Sequence, residues 1–263
     1  MTDGPADDLA LILEAAHEAG ALALRLRHQG LSVDFKPGDS PVTNADLAAD
    51  ALLKERLRTA RPDYGWLSEE TADDPARLSA RRLFVVDPID GTRSFAAGEA
   101  FWTVCIAVVE AGRPIAGAVF APQRAESYAA AAGAGATLNG QPIHASETAV
   151  IDDCGMIAHP AMFNHYDWPK PWPTMRIARR NSTAYRLCLV ASGAADATVT
   201  FAAKHDWDLA AADLIAREAG AYVGDHEGHP FTYNQPVPMQ PSLVCAAPAL
   251  APLILERVRH IAL

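Results

Sequence analysis

Apolar residues recur at helical spacing from Leu9 to Arg27 (Leu9, Leu13, Ala16, Leu24), and Gly30 follows as a stop, which predicts an N-terminal helix. A Pro/Gly-punctuated segment, Lys36 to Pro41, separates it from a second predicted helix, Thr43 to Ala60, with Leu53 and Leu57 on one face. Thr43 and Asp46 form the pattern of a capping box, with Asp in the place Glu usually takes. From Leu83 the period changes to that of strands. Phe101–Val109 and Pro114–Phe120 flank the tight turn at 110–113, and Tyr128–Ala132 adds another strand before the Gly-Ala-Gly and Asn139-Gly140 turn signals. Pro160 to Pro173 carries too much Pro for regular structure and reads as a surface excursion, with a domain junction a little before it. Helix, strand, helix, strand, strand and helix then follow at 183–192, 197–201, 208–219, 222–223, 243–246 and 249–261.

This alternation predicts an α/β fold with an α+β N-terminal half, residues 1–143, and an α/β C-terminal half, residues 144–263. The chain has 263 residues, enough for one large core or two intimately packed ones. A net charge of −10 with no basic stripe argues against nucleic acid, and the pairs Arg81-Arg82 and Arg179-Arg180 are too short to make one. An acidic protein can still take a phosphate substrate where bound metal reverses the local sign. Cys105, Cys154, Cys188 and Cys245 are widely spaced and lack metal-binding spacing, so buried reduced thiols are expected. The acidic, polar start (Met1 to Asp8) is no signal peptide and no apolar run reaches the ~18 residues of a membrane span, so a soluble, cytoplasmic protein without a membrane partner is expected.

The candidate chemistry lies in the acids. Asp87-Pro88-Ile89-Asp90-Gly91-Thr92 follows the apolar Leu83–Val86, placing two carboxylates three residues apart where a buried strand would end. Strand ends in α/β folds receive ligands, and two fixed carboxylates there call for a divalent cation. A strand followed by a Pro turn with an Asp helix cap is the plainer alternative. Ser68-Glu69-Glu70 closes another short apolar run, and read alone is a solvated turn. Asp206-Trp207-Asp208 opens a helix rich in Ala, whose small side chains allow close approach and so carry Asp208 inward; a simple helix cap is the alternative.

Taken in order, Ser40-Pro41-Val42-Thr43-Asn44-Ala45-Asp46, Ser68-Glu69-Glu70, Asp87 to Thr92, Asn139-Gly140-Gln141-Pro142-Ile143, Ala191 to Asp196 and Trp207 to Ala211 with Glu218-Ala219-Gly220 resemble the inositol monophosphatase family of metal-dependent phosphatases. The resemblance runs from Lys36 to Gly220 and implies a layered αβαβα sugar-phosphatase-like fold. It further implies two or three Mg²⁺ held by Glu69, Asp87, the Ile89 carbonyl, Asp90 and Asp208, a donor set of hard oxygens that suits that ion. Asp46 and Thr92 would orient the attacking water, with Glu69 completing the catalytic set, and Asp90, Gly91 and Thr92 would receive the phosphate. Lithium sensitivity and a homodimer are implied as well.

Other positions bear on substrate. Where many members of that family have Gly-Ser-Ala or Gly-Thr-Ala facing substrate, this chain has Asn181-Ser182-Thr183. The Glu that holds a sugar hydroxyl in inositol-specific members has no counterpart among Thr200, Phe201 and Lys204. Lys204 suggests a second anionic group on the substrate; a solvated surface Lys is the alternative. Asn181, Ser182, Thr183, Lys204 and Asp208 are therefore taken as substrate residues. His159, His165, Trp168 and Trp172 could stack a ring or pack on a partner subunit, and Lys36 and Asp39 lie in a loop that could help hold a third Mg²⁺. The expected activity is Mg²⁺-dependent hydrolysis of a small phosphorylated alcohol. 3′-Phosphoadenosine 5′-phosphate stands first, inositol monophosphate second, then fructose 1,6-bisphosphate or histidinol phosphate. A haloacid-dehalogenase phosphatase would space its two Asp residues by two without the intervening Pro, and a metal-binding interaction module without catalysis is the remaining alternative.

Overall fold

The computed structural model describes residues 4–36, 38–165 and 168–263, without the side chain of His165. Pro37 of the Pro/Gly segment, Tyr166 and Asp167 of the 160–173 excursion, and the ring of His165 therefore lie outside the described residues. Helix α1 spans Pro5–Gln29, and a hairpin of β1 (Val33–Lys36) and β2 (Ser40–Thr43) leads into α2 (Asn44–Ala60). Strands β3 (Gly65–Ser68) and β4 (Arg82–Asp90), helix α3 (Thr92–Ala96), then β5 (Thr103–Glu110), β6 (Arg113–Ala121), β7 (Glu126–Ala131), β8 (Ala136–Leu138) and β9 (Gln141–Ile143) follow. The second half contains β10 (Gly155–Ile157), α4 (Met162–His165), β11 (Arg176–Ala178), α5 (Thr183–Ala191), β12 (Ala197–Thr200), β13 (Lys204–His205), α6 (Asp206–Glu218), β14 (Tyr222–Gly224), β15 (Met239–Gln240), β16 (Leu243–Ala246) and α7 (Ala251–Val258).

Among the described residues β3 to β9 form a seven-stranded sheet in sequence order, and β11-β10-β12-β16-β14 form a five-stranded one. Strand alternation divides the core. Phe84, Val86, Ile106 and Val108 face α1 and α2, with Ile12, Ala19 and Leu53. Leu83, Val85, Cys105, Ala107 and Val119 face α5, α6 and the inner side of the second sheet, including Leu187, Leu209, Ile215, Val223 and Cys245. Met156, Val199, Val244 and Ile254 join the second sheet's outer side to α7. The result is the expected αβαβα order of layers. Because β4 and β5 are covered on both faces, they appear in the sequence as continuous apolar runs.

The small residues of α6 have the packing role inferred for them. A Cβ added at Gly117 on β6 would stand 2.7 Å from the carbonyl oxygen of Ala211, so helix and strand backbones meet almost directly. All four cysteines are free and buried. Several boundaries differ from expectation, and α4 (Met162–His165) is a short helix inside the 160–173 segment read as irregular. Segment 33–43 forms an antiparallel hairpin, since Val33–Lys36 pairs with Ser40–Thr43 around the turn. Helix α6 begins at Asp206, so Asp208 is its third residue: the N-cap position belongs to His205, and the Asp208 carboxylate closes the capping box by accepting the His205 N–H.

Candidate active site

Strand β4 does not end before the first Asp; it continues through Asp90. In a regular strand residues three apart face opposite sides. Here Asp87 pairs with Cys105 and Asp90 with Thr103, so three steps on β4 match two on β5. That extra residue is a bulge, and it turns both carboxylates to the same side. Pro88 has no N–H to lose from the ladder and suits the irregularity. Asp208, in the first turn of α6, meets them there: one carboxylate oxygen from each of Asp87, Asp90 and Asp208 lies within 4.8 Å of the others.

Each acid is held in place by backbone. Asp87 Oδ1 accepts the Ile89 N–H at 3.0 Å, and Asp208 Oδ2 accepts the His205 N–H at 2.8 Å. Asp90 Oδ2 accepts the Ser182 hydroxyl at 2.6 Å and the Ala184 N–H at 2.7 Å, while its Oδ1 accepts the Thr183 N–H at 3.2 Å. Ser182 also caps α5 by accepting the Tyr185 N–H at 3.0 Å. Ser182 and Thr183 are thus buried behind Asp90 and hold it, a different position from the substrate-facing one expected of them. Asn181 is exposed and does line the neighbouring cavity. Gly91 sits at φ +95°, and a Cβ there would press on the Phe101 carbonyl and Ser182 at 3.2–3.3 Å.

Burial dominates the electrostatics. It drives Asp87 well above the ordinary carboxylate range, with Glu69, Asp90 and Asp208 adding repulsion. Asp90 is also raised by burial, opposed by its Ser182 and Ala184 hydrogen bonds and by Lys204. Asp208 is pushed up to about 7 by burial, with Lys204 opposing and Asp90 and Glu69 reinforcing. Three like charges held together in a buried place require a cation or protons. The donors are carboxylate oxygens without Cys or His, which fits a hard divalent ion such as Mg²⁺.

The remaining expected residues surround this trio. Thr92 Oγ1 lies 3.0 Å from Asp46 Oδ1 and 3.0 Å from the Ile89 carbonyl oxygen. Asp46 also accepts the Thr43 N–H at 2.8 Å, so it caps α2 and contacts Thr92 at once. Glu69 stands outside the trio and is paired with Lys36 at 2.9 Å, and Lys36 reaches Glu70 at 2.6 Å. Burial pushes Glu70 up to about 7 against the pull of Lys36. Asp39 contributes its backbone carbonyl to Arg93 at 2.8 Å. A second acid-rich group, Asp225, Glu227 and His229, is a turn in which Asp225 Oδ1 accepts three successive backbone N–H groups.

Beside the trio opens a cavity of about 1050 Å³ lined by Arg93, Arg179, Arg180, Arg186 and Lys204, with Glu99 as the one acid of its described wall. Among the described residues none of these five cations has a carboxylate partner within ion-pair distance. Of them the sequence pointed to Lys204 alone. The signal for Arg186 was its place four residues after Ser182, on the same face of α5. His159 also lines the cavity. Trp168 and Trp172 are not among its described lining: their rings meet edge-on at 5.3 Å, and both pack, partly buried, on the third core with Met162 and Phe163.

The chain is similar to known proteins over nearly its whole length. Residues 7–262 match the model of the inositol monophosphatase family. The 3′(2′),5′-bisphosphate nucleotidase CysQ of Escherichia coli K12 is 33% identical over 222 residues, covering 78% of this chain and 84% of that protein. The histidinol-phosphatase of Mycobacterium tuberculosis is 33% identical over 236 residues, covering 84% and 88%. Among solved structures, the IMPase of Thermotoga maritima superposes with a TM-score of 0.83 at 27% identity, covering 97% of both chains. No described helix is long and apolar enough to cross a membrane. With six motifs in order, a layered fold to match and the acids of three of those motifs, counting Glu69 close by, gathered in one place, the chain belongs to the inositol monophosphatase family and is a phosphoric monoester hydrolase.

Proposed function

We propose that this protein is a Mg²⁺-dependent phosphatase whose preferred substrate carries a second anionic group, with 3′-phosphoadenosine 5′-phosphate the leading candidate and inositol monophosphate the second. The observation that carries this reading is the contact between two opposite fields. The acids Asp87, Asp90 and Asp208 adjoin a cavity whose cations Arg186 and Lys204 act electrostatically on Asp90 or Asp208. Asp87, the Ile89 carbonyl, Asp90 and Asp208 would hold the metal, with Glu69 joining once it leaves Lys36. Bound there, Mg²⁺ supplies the charge that neutralises phosphoryl oxygens and acidifies an attacking water. We assign the acid trio to the junction of two domains, 1–143 and 144–263.

The chain's own residues handle the proton. Thr92 donates its hydroxyl proton to Asp46 Oδ1 and receives one from the water on its freed lone pair, so a proton moves from water to Asp46 as the oxygen approaches phosphorus. Burial raises Asp46 above the ordinary carboxylate range, which makes it a stronger base than a surface Asp. Gly91, at φ +95° and packed against Phe101 and Ser182, lets the chain turn between Asp90 and Thr92, the stretch assigned to the phosphate. The family resemblance supports Li⁺ inhibition, a homodimer and a cytoplasmic location for the same reading.

Phosphate release would be measured from adenosine 3′,5′-bisphosphate, inositol 1-phosphate, fructose 1,6-bisphosphate and histidinol phosphate, with Mg²⁺ or with chelator. Release is expected only with Mg²⁺, fastest from the adenosine compound, and lost in Asp90→Asn. Release that persists in chelator, or none from any ester, would refute the proposal.

A further inference from the structure

Asp87, Asp90 and Asp208 are each held by backbone N–H groups, but among the described residues the Glu69 carboxylate is held only by Lys36. That is the contact Glu69 must give up to join a metal, so its placement has to come from the chain that carries it. Strands β3 and β4 run parallel with Ser68 opposite Val86, and the Glu69 N–H donates to the Val86 carbonyl at 3.3 Å. Glu69 thereby arrives beside Asp87, close enough to repel its charge. Beyond Ser68 the strand ends, and the ladder no longer fixes the backbone.

Asp50 takes over there. It lies on α2, and its Oδ1 accepts the Ser68 hydroxyl while its Oδ2 accepts the Thr71 hydroxyl at 2.7 Å. These hydroxyls stand on either side of Glu69-Glu70, and Ser68 Oγ in turn accepts the Glu70 N–H at 3.4 Å. One carboxylate therefore brackets segment 68–71. Asp50 is only 7% exposed, and among the described residues no cation stands within ion-pair distance of it. A buried carboxylate is costly, and the two-oxygen bracket accounts for it, because Asn would offer one acceptor where two hydroxyls need one each.

Helix geometry links this bracket to the rest of the site. Asp46 and Asp50 are four residues apart on α2, so they share a face about 6 Å apart along the axis. From that face Asp46 meets Thr92 at 3.0 Å, and Asp50 meets the segment that carries Glu69. A single turn of helix sets the spacing between the stretch after β4 and the stretch after β3.

We propose that Asp50 is a positioning residue for the metal site: its carboxylate brackets segment 68–71 and keeps Glu69 in place for Mg²⁺ when Lys36 lets go. This rests on the Mg²⁺-dependent phosphatase reading and adds to it a residue that acts only through another.

The test is calorimetry of Mg²⁺ binding without substrate in the wild type, Asp50→Asn, Asp50→Ala, Glu69→Gln and the Asp50→Ala/Glu69→Gln double variant. Asp50→Ala should weaken Mg²⁺ binding about tenfold and raise the Mg²⁺ needed for half-maximal hydrolysis in parallel, with kcat at saturating Mg²⁺ close to wild type. Asp50→Asn keeps one acceptor and should fall between the two. In the Glu69→Gln background Asp50→Ala should add less than about twofold, because the residue it acts through is gone. Wild-type affinity in Asp50→Ala, equal losses in Asp50→Asn and Asp50→Ala, or the full loss repeated in the Glu69→Gln background would overturn the assignment. Should Asp50→Ala fail to fold, Thr71→Val removes one hydroxyl and no charge; it should still weaken Mg²⁺ binding, and unchanged affinity would overturn the proposal. If positions 50 and 69 prove coupled in Mg²⁺ binding while no ester is hydrolysed, the phosphatase reading fails and the bracket stands.

Discussion

Replacing Asp208 by Asn should stabilise the metal-free protein while abolishing its metal site. Asn keeps an oxygen for the His205 N–H, now accepted by Asp208 at 2.8 Å, and removes one of three clustered negative charges. The cost of that charge follows from its pKa, raised by burial from 3.8 to about 7. Three units at ~1.4 kcal/mol each set a ceiling of roughly 4 kcal/mol. Residual solvent contact and joint titration with Asp87 and Asp90 reduce this to about 2 kcal/mol. Between pH ~4 and ~7 the folded state binds more protons than the unfolded one, so wild-type stability falls as pH rises through that window. Thermal melting in chelator should therefore show equal Tm values near pH 4, a gap opening toward pH 7, and the Asp208→Asn protein melting roughly 4–8 °C higher at pH 8. Added Mg²⁺ should raise the wild-type Tm and leave Asp208→Asn unmoved. An Asp208→Asn protein no more stable than wild type at pH 8 without metal, or a gap that ignores pH, would refute the account of like charges held together by packing.

Two further substitutions probe the arrangement. Thr92→Val removes the hydroxyl between Asp46 and the Ile89 carbonyl, and kcat should fall on the order of 100-fold or more with Tm unchanged; a mild effect on kcat would exclude Thr92 from the proton path. Gly117→Ala inserts a Cβ 2.7 Å from the Ala211 oxygen, so urea denaturation should register a loss of about 1–3 kcal/mol and calorimetry a weaker affinity for Mg²⁺ as α6 is displaced; unaltered stability would mean that α6 is free to shift.

Legibility in the sequence varied with the range of the interaction. The capping box of Thr43 and Asp46 is local, and it formed as read. The apolar runs of β4 and β5 announced strands because both faces are covered, but the point where β4 ends could not be read, since Pro88 looks like a terminator and its tolerance depends on the bulge opposite Thr103 and Cys105. Ser182 and Thr183 were identifiable as important, yet their target, Asp90, lies 92 or 93 residues earlier in the chain. The tryptophans of the 160–173 excursion gave no hint that they close a third core, because Trp packing and Trp stacking on a ligand have the same composition.

The order of elements, the period of each and the kinds of donor atom available are all written in the chain: carboxylates of the kind hard cations prefer, Gly91 where backbone must pass close, small residues where α6 meets a strand. Packing in three dimensions settled which of those carboxylates share one place, that Glu69 faces Lys36, and that scattered arginines meet in a cavity beside the acids. The reason is that helix and strand periods, caps and turns depend on neighbours a few residues away. Desolvation and charge coupling depend on distances through space, which chain positions as far apart as 87 and 208 acquire only when the layers pack.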